Sequence, residues 1–183
     1  MNLTRNVILG VVFAMLLCVV PKANAVDSYW DKLELRARAG AYFPTEKVVK
    51  DLSDVWGAIG LDIAGPGLFG KNSETVLSFD LYNRNWGRGH NTVFPIILGE
   101  NFTVTQSSIS DFRLYVGVGV GMVVGDVGGP SNSKFAARAV VGLDLTDKIF
   151  LEGSYLVTDR FNAFQGTTTT RGNGLTAMFG YKF

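Results

Sequence analysis

Thiols, imidazoles and long apolar runs are nearly missing from this chain. Cys18 is the single cysteine and His90 the single histidine among 183 residues. Without a second thiol there is no disulfide framework and no thiolate metal site. The loop acids, Asp51 and Asp54 among them, lack the regular spacing of a calcium loop, so no metal and no cofactor is expected. An excess of one charge is missing too: 17 basic residues face 16 acidic ones, which argues against a nucleic-acid partner. The longest apolar run, Val7 to Val20, falls short of the roughly 18 residues of a transmembrane helix.

That run has the build of a secretory leader. Arg5 supplies a positive start, Pro21 breaks the apolar stretch, and Ala23-Asn24-Ala25 is a small-x-small cleavage site. Residues 1–25 are therefore expected to be a signal peptide removed on export, leaving residues 26–183 as one domain. A permanent anchor needs a longer run. Cys18 follows Leu16 and Leu17 inside the apolar stretch, which is not the small-residue context of a lipoprotein signal. Cleavage removes Arg5, Lys22 and no acid, taking 17 basic residues to 15 against 16 acidic ones. It also removes the cysteine, so stability must come from a core or a closed hydrogen-bonded structure. No helix-length apolar run survives cleavage, and the choice narrows to a soluble β-domain or a β-barrel.

Glycine is plentiful, at 22 residues, and alternation of apolar and polar residues is the dominant pattern. It marks strands at Leu33–Phe43, Gly57–Ala64, Thr75–Arg84, Thr92–Val104, Phe112–Val124, Phe135–Leu145, Ile149–Val157 and Asn173–Phe183. The last is long enough to cross a membrane as a tilted strand of about 9–11 residues. The fourth is the least regular. Glu100 falls on its apolar face, placing it at a membrane boundary or requiring a bulge, and Pro95 is awkward inside a paired strand. The connections alternate in length if Phe183 ends in the periplasm. Pro44–Trp56, Asn85–Asn91, Gly125–Lys134 and Thr158–Gly172 are then external, while Gly65–Glu74, Gln106–Asp111 and Thr146–Lys148 are periplasmic turns.

The polar faces hold more charge than a dry core tolerates, which turns the apolar faces outward. Glu34, Arg36, Arg38, Asp62, Asp80, Arg84, Arg113, Arg138, Asp144, Glu152 and Lys182 are then expected in the lumen as a paired network. The interior of an eight-stranded barrel is just wide enough for side chains to fill, and unpaired charges there are costly. The glycines of the fifth segment, Gly117, Gly119 and Gly121, are expected to make room for long Arg and Tyr side chains from across the lumen. Tyr29, Trp30, Trp56, Trp86, Phe161 and Phe179 are expected in aromatic girdles.

Three stretches carry a resemblance: Phe112 to Gly121 (FRLYVGVGVG), Phe135 to Tyr155 (FAARAVVGLDLTDKIFLEGSY) and the closing Phe179-Gly-Tyr-Lys-Phe183. They are similar to motifs of the OmpA/OmpX/OmpW-like family of bacterial outer-membrane β-barrels. The resemblance implies an all-β, eight-stranded, antiparallel up-and-down barrel in the outer membrane of a Gram-negative cell, reached by Sec export. Phe179, Tyr181 and Phe183 resemble the signal read by the barrel-insertion machinery. The implied partners are that machinery, outer-membrane lipid and lipopolysaccharide, with an unidentified extracellular ligand at the loops.

For activity the resemblance offers three classes. Small barrels of this kind serve as envelope structural or adhesion-type proteins, and that is the reading adopted, with loops Pro44–Trp56 and Phe161–Arg171 as the contact surface. A narrow channel for small apolar solutes, as in the OmpW-like branch, is the alternative. It requires an apolar lumen or a lateral gap, for which Pro95 marks the place. A lipid A-modifying enzyme needs a base beside a nucleophile. His90 is followed by Asn91 and Thr92, and nothing in the sequence brings it to Ser154 or Glu152, so no enzyme is expected. Gly117–Gly121 lacks the strand-turn-helix context of a phosphate loop and reads as packing.

Overall fold

A computed structural model describes residues 32–84, 91–106, 112–128, 131–164 and 168–183. Its strands are β1 (Glu34–Pro44), β2 (Trp56–Pro66), β3 (Ser73–Asn83), β4 (Asn91–Gln106), β5 (Arg113–Val127), β6 (Asn132–Asp144), β7 (Ile149–Thr158), β8 (Phe161–Ala163), β9 (Thr168–Thr170) and β10 (Gly174–Lys182), with one turn of helix, α1 (Lys47–Lys50). β1 to β7 and β10 close an antiparallel barrel in chain order, and β10 pairs with β1 from Arg36↔Lys182 to Pro44↔Gly174. Closure removes the two free edges that an open sheet of these strands would expose.

Alternation sets the faces. Along β10, Gly174, Thr176, Met178, Gly180 and Lys182 are buried, while Leu175, Ala177, Phe179 and Tyr181 are exposed. On β5 the exposed positions are Val116, Val118, Val120 and Met122. A wall that is apolar outside and charged inside inverts a soluble β-barrel and suits one that stands in lipid.

Room inside comes from glycine on neighbouring strands. A Cβ on Gly142 would lie 2.0 Å from the Tyr115 ring, one on Gly180 2.1 Å from the Phe150 ring, and one on Gly60 2.2 Å from Asp80 Oδ1. The three glycines of β5 do something other than expected. Gly117 and Gly119 lie under Asn101 and Ile97 of adjacent β4, and a Cβ on Gly121 would strike the Ile96 carbonyl. Their nearest neighbours belong to β4 rather than to strands across the lumen, and they let β4 and β5 pack closely.

Three elements differ from the expected segmentation. β5 and β6 run on to Val127 and Asn132, so the connection expected from Gly125 to Lys134 shrinks to a few residues at the top of a long hairpin. The connection after β7 carries the β8–β9 hairpin, paired from Phe161↔Thr170 to Ala163↔Thr168. In β4 the bulge falls between Thr103 and Thr105, beyond Glu100, so Glu100 keeps its outward register. Pro95 does interrupt pairing: the β3–β4 ladder runs to Phe79↔Ile96 and resumes at Tyr82↔Val93, because proline has no N–H to donate.

Candidate functional site

The lumen has two halves of opposite chemistry. At the end shared by Glu34 and Lys182, here the terminus end, ion pairs form a continuous chain. Lys182 Nζ lies 2.8 Å from Asp144, which accepts from Arg113 Nε at 2.7 Å. Arg113 reaches Glu74 at 3.3 Å, Glu74 receives a two-pronged grip from Arg36 at 2.8 and 2.7 Å, and Arg36 also pairs with Glu34. Asn101 donates to Glu74 at 3.3 Å. The Phe150 ring lies 6.0 Å from the Arg36 guanidinium and 5.8 Å from Lys182 Nζ.

Nearer the middle, Arg38 holds Asp62 at 2.7 Å, Asp80 at 2.8 Å and Glu152. Arg138 donates to Asp80 at 2.8 Å and to Ser78 at 2.6 Å. The planar guanidinium suits this work, since it presents several donors in a fixed fork. The side chain of Arg38 is fully buried, and charges so placed persist only when paired and hydrogen-bonded.

Toward the other end, the loop end, aromatic and aliphatic side chains take over from the ion pairs. Tyr42 stacks on Tyr82 with centroids 4.5 Å apart and meets Trp56 edge-on at 5.9 Å. Around them pack Val93, Ile97, Val123, Val127, Leu156 and Met178, and the plug is capped by Val49 of α1 and by Phe161 and Ala163 of β8. The Tyr82 hydroxyl donates to Asp80 Oδ2 at 3.1 Å, joining the halves. Asn173 ties the cap to the wall. Its carbonyl accepts from Tyr42 Oη at 3.1 Å and from the Thr45 N–H at 2.9 Å, and its Oδ1 accepts from the Thr158 N–H at 2.8 Å. Outside the cap, Glu46, Arg160, Thr169, Thr170 and Arg171 line an open polar groove of about 300 Å³.

Measured against the expected lumen set, Arg84 stands apart. It lies past the end of β3, is exposed, and its backbone N–H donates to the Asn91 carbonyl. The remaining expected members lie in the lumen with the partners given above. Glu74 belongs with them although it falls in the segment expected to be a turn; the parity of Ser78 and Val76 carried back two residues points to it. Trp56 and Phe161, expected in girdles, are each 1% exposed inside the plug. Phe179 is outward and half exposed, and Tyr181 meets Phe183 edge-on at 5.2 Å. Ser154, weighed as a nucleophile, faces the lumen with its hydroxyl 2.5 Å from that of Thr176. His90, Tyr29, Trp30, Trp86, Ala23 and Ala25 lie outside the described residues.

No protein-family model and no curated protein matches the sequence. Among solved structures, the N-terminal β-barrel domain of Pseudomonas aeruginosa OprF superposes with a TM-score of 0.51 at 16% identity, covering 82% of this chain and 96% of that one. Neisserial surface protein A aligns with a TM-score of 0.49 at 13% identity, over the same 82% and 96%. Ail, the attachment invasion locus protein of Yersinia pestis, aligns with a TM-score of 0.45 at 14% identity, again over 82% and 96%. The chain has the fold of the small eight-stranded outer-membrane barrels.

Proposed function

We propose that this chain, which has the fold of a small outer-membrane barrel, is an envelope protein with a closed lumen that acts through its external loops. In this reading residues 1–25 direct export and are removed, Phe183 stands on the periplasmic side, and the loop end faces outward. The observation that carries it is the apolar plug. Tyr42, Trp56, Tyr82 and Phe161 fill the loop half of the lumen with at most 1% exposure, and the ion-pair chain fills the other half. A packed interior has no room for a hydrated path. What remains for contact is the loop-end surface: α1, the β8–β9 hairpin and the groove of Arg160 and Arg171. Lipid A chemistry is not part of this reading, since Ser154 faces the lumen and lipid lies outside.

Single-channel recording in a planar bilayer tests the closed lumen, using protein whose gel mobility changes on boiling and which is therefore folded. A silent bilayer is expected. Steady openings that change on neutralising Arg36, Arg38, Arg113 or Arg138 overturn the reading. Exchange of the 44–56 and 158–172 connections for those of an unrelated barrel is expected to abolish surface contact, scored as cell attachment; unchanged attachment removes the loop role.

A second reading, lateral passage of small apolar solutes, is favoured by the break in the β3–β4 ladder at Pro95. It predicts that Pro95→Val, which restores a donor, slows uptake of such solutes into cells; equal uptake removes it. Phe179, Tyr181 and Phe183 are assigned to engagement of the insertion machinery, so Phe183→Ala is expected to lower the amount of barrel assembled in the outer membrane.

A further inference from the structure

An acid, Glu100, stands within the apolar outer wall. Glu100 points outward from β4 between Leu98 and Phe102, both exposed, and opposite Thr75 of β3 and Val118 of β5. Its side chain is nonetheless buried, because the β2–β3 connection folds back over the wall instead of extending past it. The Phe69 N–H donates to Glu100 Oε1 at 3.4 Å, and the Thr75 hydroxyl donates to Oε2 at 2.7 Å. The Asn72 carbonyl accepts from the Thr103 N–H at 2.8 Å, and the Phe69 ring lies 5.9 Å from that of Phe102. Gly70, at φ +108°, makes the reversal, a backbone state that glycine adopts without penalty. At the tip, Leu68 and Phe69 are 78% and 73% exposed.

Two adjacent large apolar side chains so exposed require an apolar neighbour. They continue the exposed band of Leu98, Phe102 and Val104, which in the proposed reading faces acyl chains. An outward carboxylate in that band is costly, and the fold-back provides it with both donors and cover. We propose that the β2–β3 turn is an intramembrane clasp: Leu68 and Phe69 lodge among the phospholipid acyl chains of the periplasmic leaflet, and Glu100, held by Phe69 and Thr75, latches the turn to the barrel. The inference rests on the barrel standing in a bilayer, as the proposed function holds.

Nitroxide labels read the depth. The full chain with Cys18→Ser carries a single label through Leu68→Cys, Val118→Cys or Lys148→Cys. It is isolated from expressing cells and reconstituted in phosphatidylethanolamine–phosphatidylglycerol vesicles. Collision with oxygen, which partitions into lipid, is compared with collision with a water-soluble nickel chelate. Position 68 is expected to match 118, shielded from nickel, and to show a several-fold rise in nickel collisions toward the value at 148 when Glu100→Ala or Thr75→Val is added. Position 68 as open to nickel as 148, with 118 shielded, overturns the clasp while the barrel stands. Water access at both 68 and 118 overturns the membrane placement as well. A shielded 68 that neither added substitution changes, in protein that still shifts mobility on boiling, overturns the latch.

Discussion

Arg38 meets three carboxylates and no solvent. Truncating one partner of a buried ionic cluster leaves the others unpaired, so Arg38→Met is expected to destabilise the barrel by about 3–5 kcal/mol, read from denaturant unfolding in detergent or lipid. The glycines that make room are equally specific. Gly142→Ala drives a methyl into the Tyr115 ring and is expected to cost about 1–3 kcal/mol. Gly153→Ala, whose Cβ would first meet Val141 Cγ1 at 3.7 Å, is expected to be nearly neutral; equal losses from both would refute the packing account. At this scale the sequence was readable for direction and not for partners. Parity places Arg38 and Arg138 inward, because a strand has only two faces. It does not say that both meet at Asp80, since that depends on how far each strand is shifted against the next. Parity also misplaces Arg84, which lies just beyond the end of β3 where the rule lapses, whereas Trp56, expected in a girdle, shares the inward parity of Ala58 and Gly60.

Among elements, the cap departs most from what alternation reveals. α1 and β8 are too short to carry a period, and their place is set by burial: Val49 and Phe161 are both inside the plug. Asn173 anchors the segments beside them, through Thr45 before α1 and Thr158 at the end of β7. Asn173→Ala removes the Oδ1 acceptor of the buried Thr158 N–H and is expected to cost about 1–3 kcal/mol. The matching local effect is faster amide exchange in residues 45–52 and 161–170, and exchange that rises evenly over the whole barrel would contradict it. Phe161→Ala is expected to cost about 3–5 kcal/mol, again by denaturant unfolding. The strands themselves were legible to within a few residues because each runs long enough to show its period. β5 and β6 extend past the expected limits at Val124 and Phe135 because Gly125 and Asn132, which read as loop residues, are paired in the hairpin.

For the molecule as a whole, the deciding feature is that several of its ion pairs join strands that are not neighbours. Arg36 of β1 grips Glu74 of β3, Arg138 of β6 reaches Asp80 of β3, and Lys182 of β10 reaches Asp144 of β6. These pairs are buried, and buried pairs are screened little by salt. The unfolding midpoint in urea is therefore expected to differ little between low and high sodium chloride, whereas a barrel held by surface charge would shift with salt. The same wiring bears on assembly. Arg38 of β1 reaches Glu152 of β7 past the strand that closes the ring, and no open sheet can make that bond. A sheet open between β1 and β10 would thus lack its longest cross-lumen pairs, and joining β10 to β1 gathers the seam's backbone bonds and those pairs in one event. Such an open sheet keeps its neighbour pairs, Arg38 with Asp62 and Arg113 with Asp144, but gains the bond of Arg38 to Glu152 only with the seam, so opening the ring forfeits both at once.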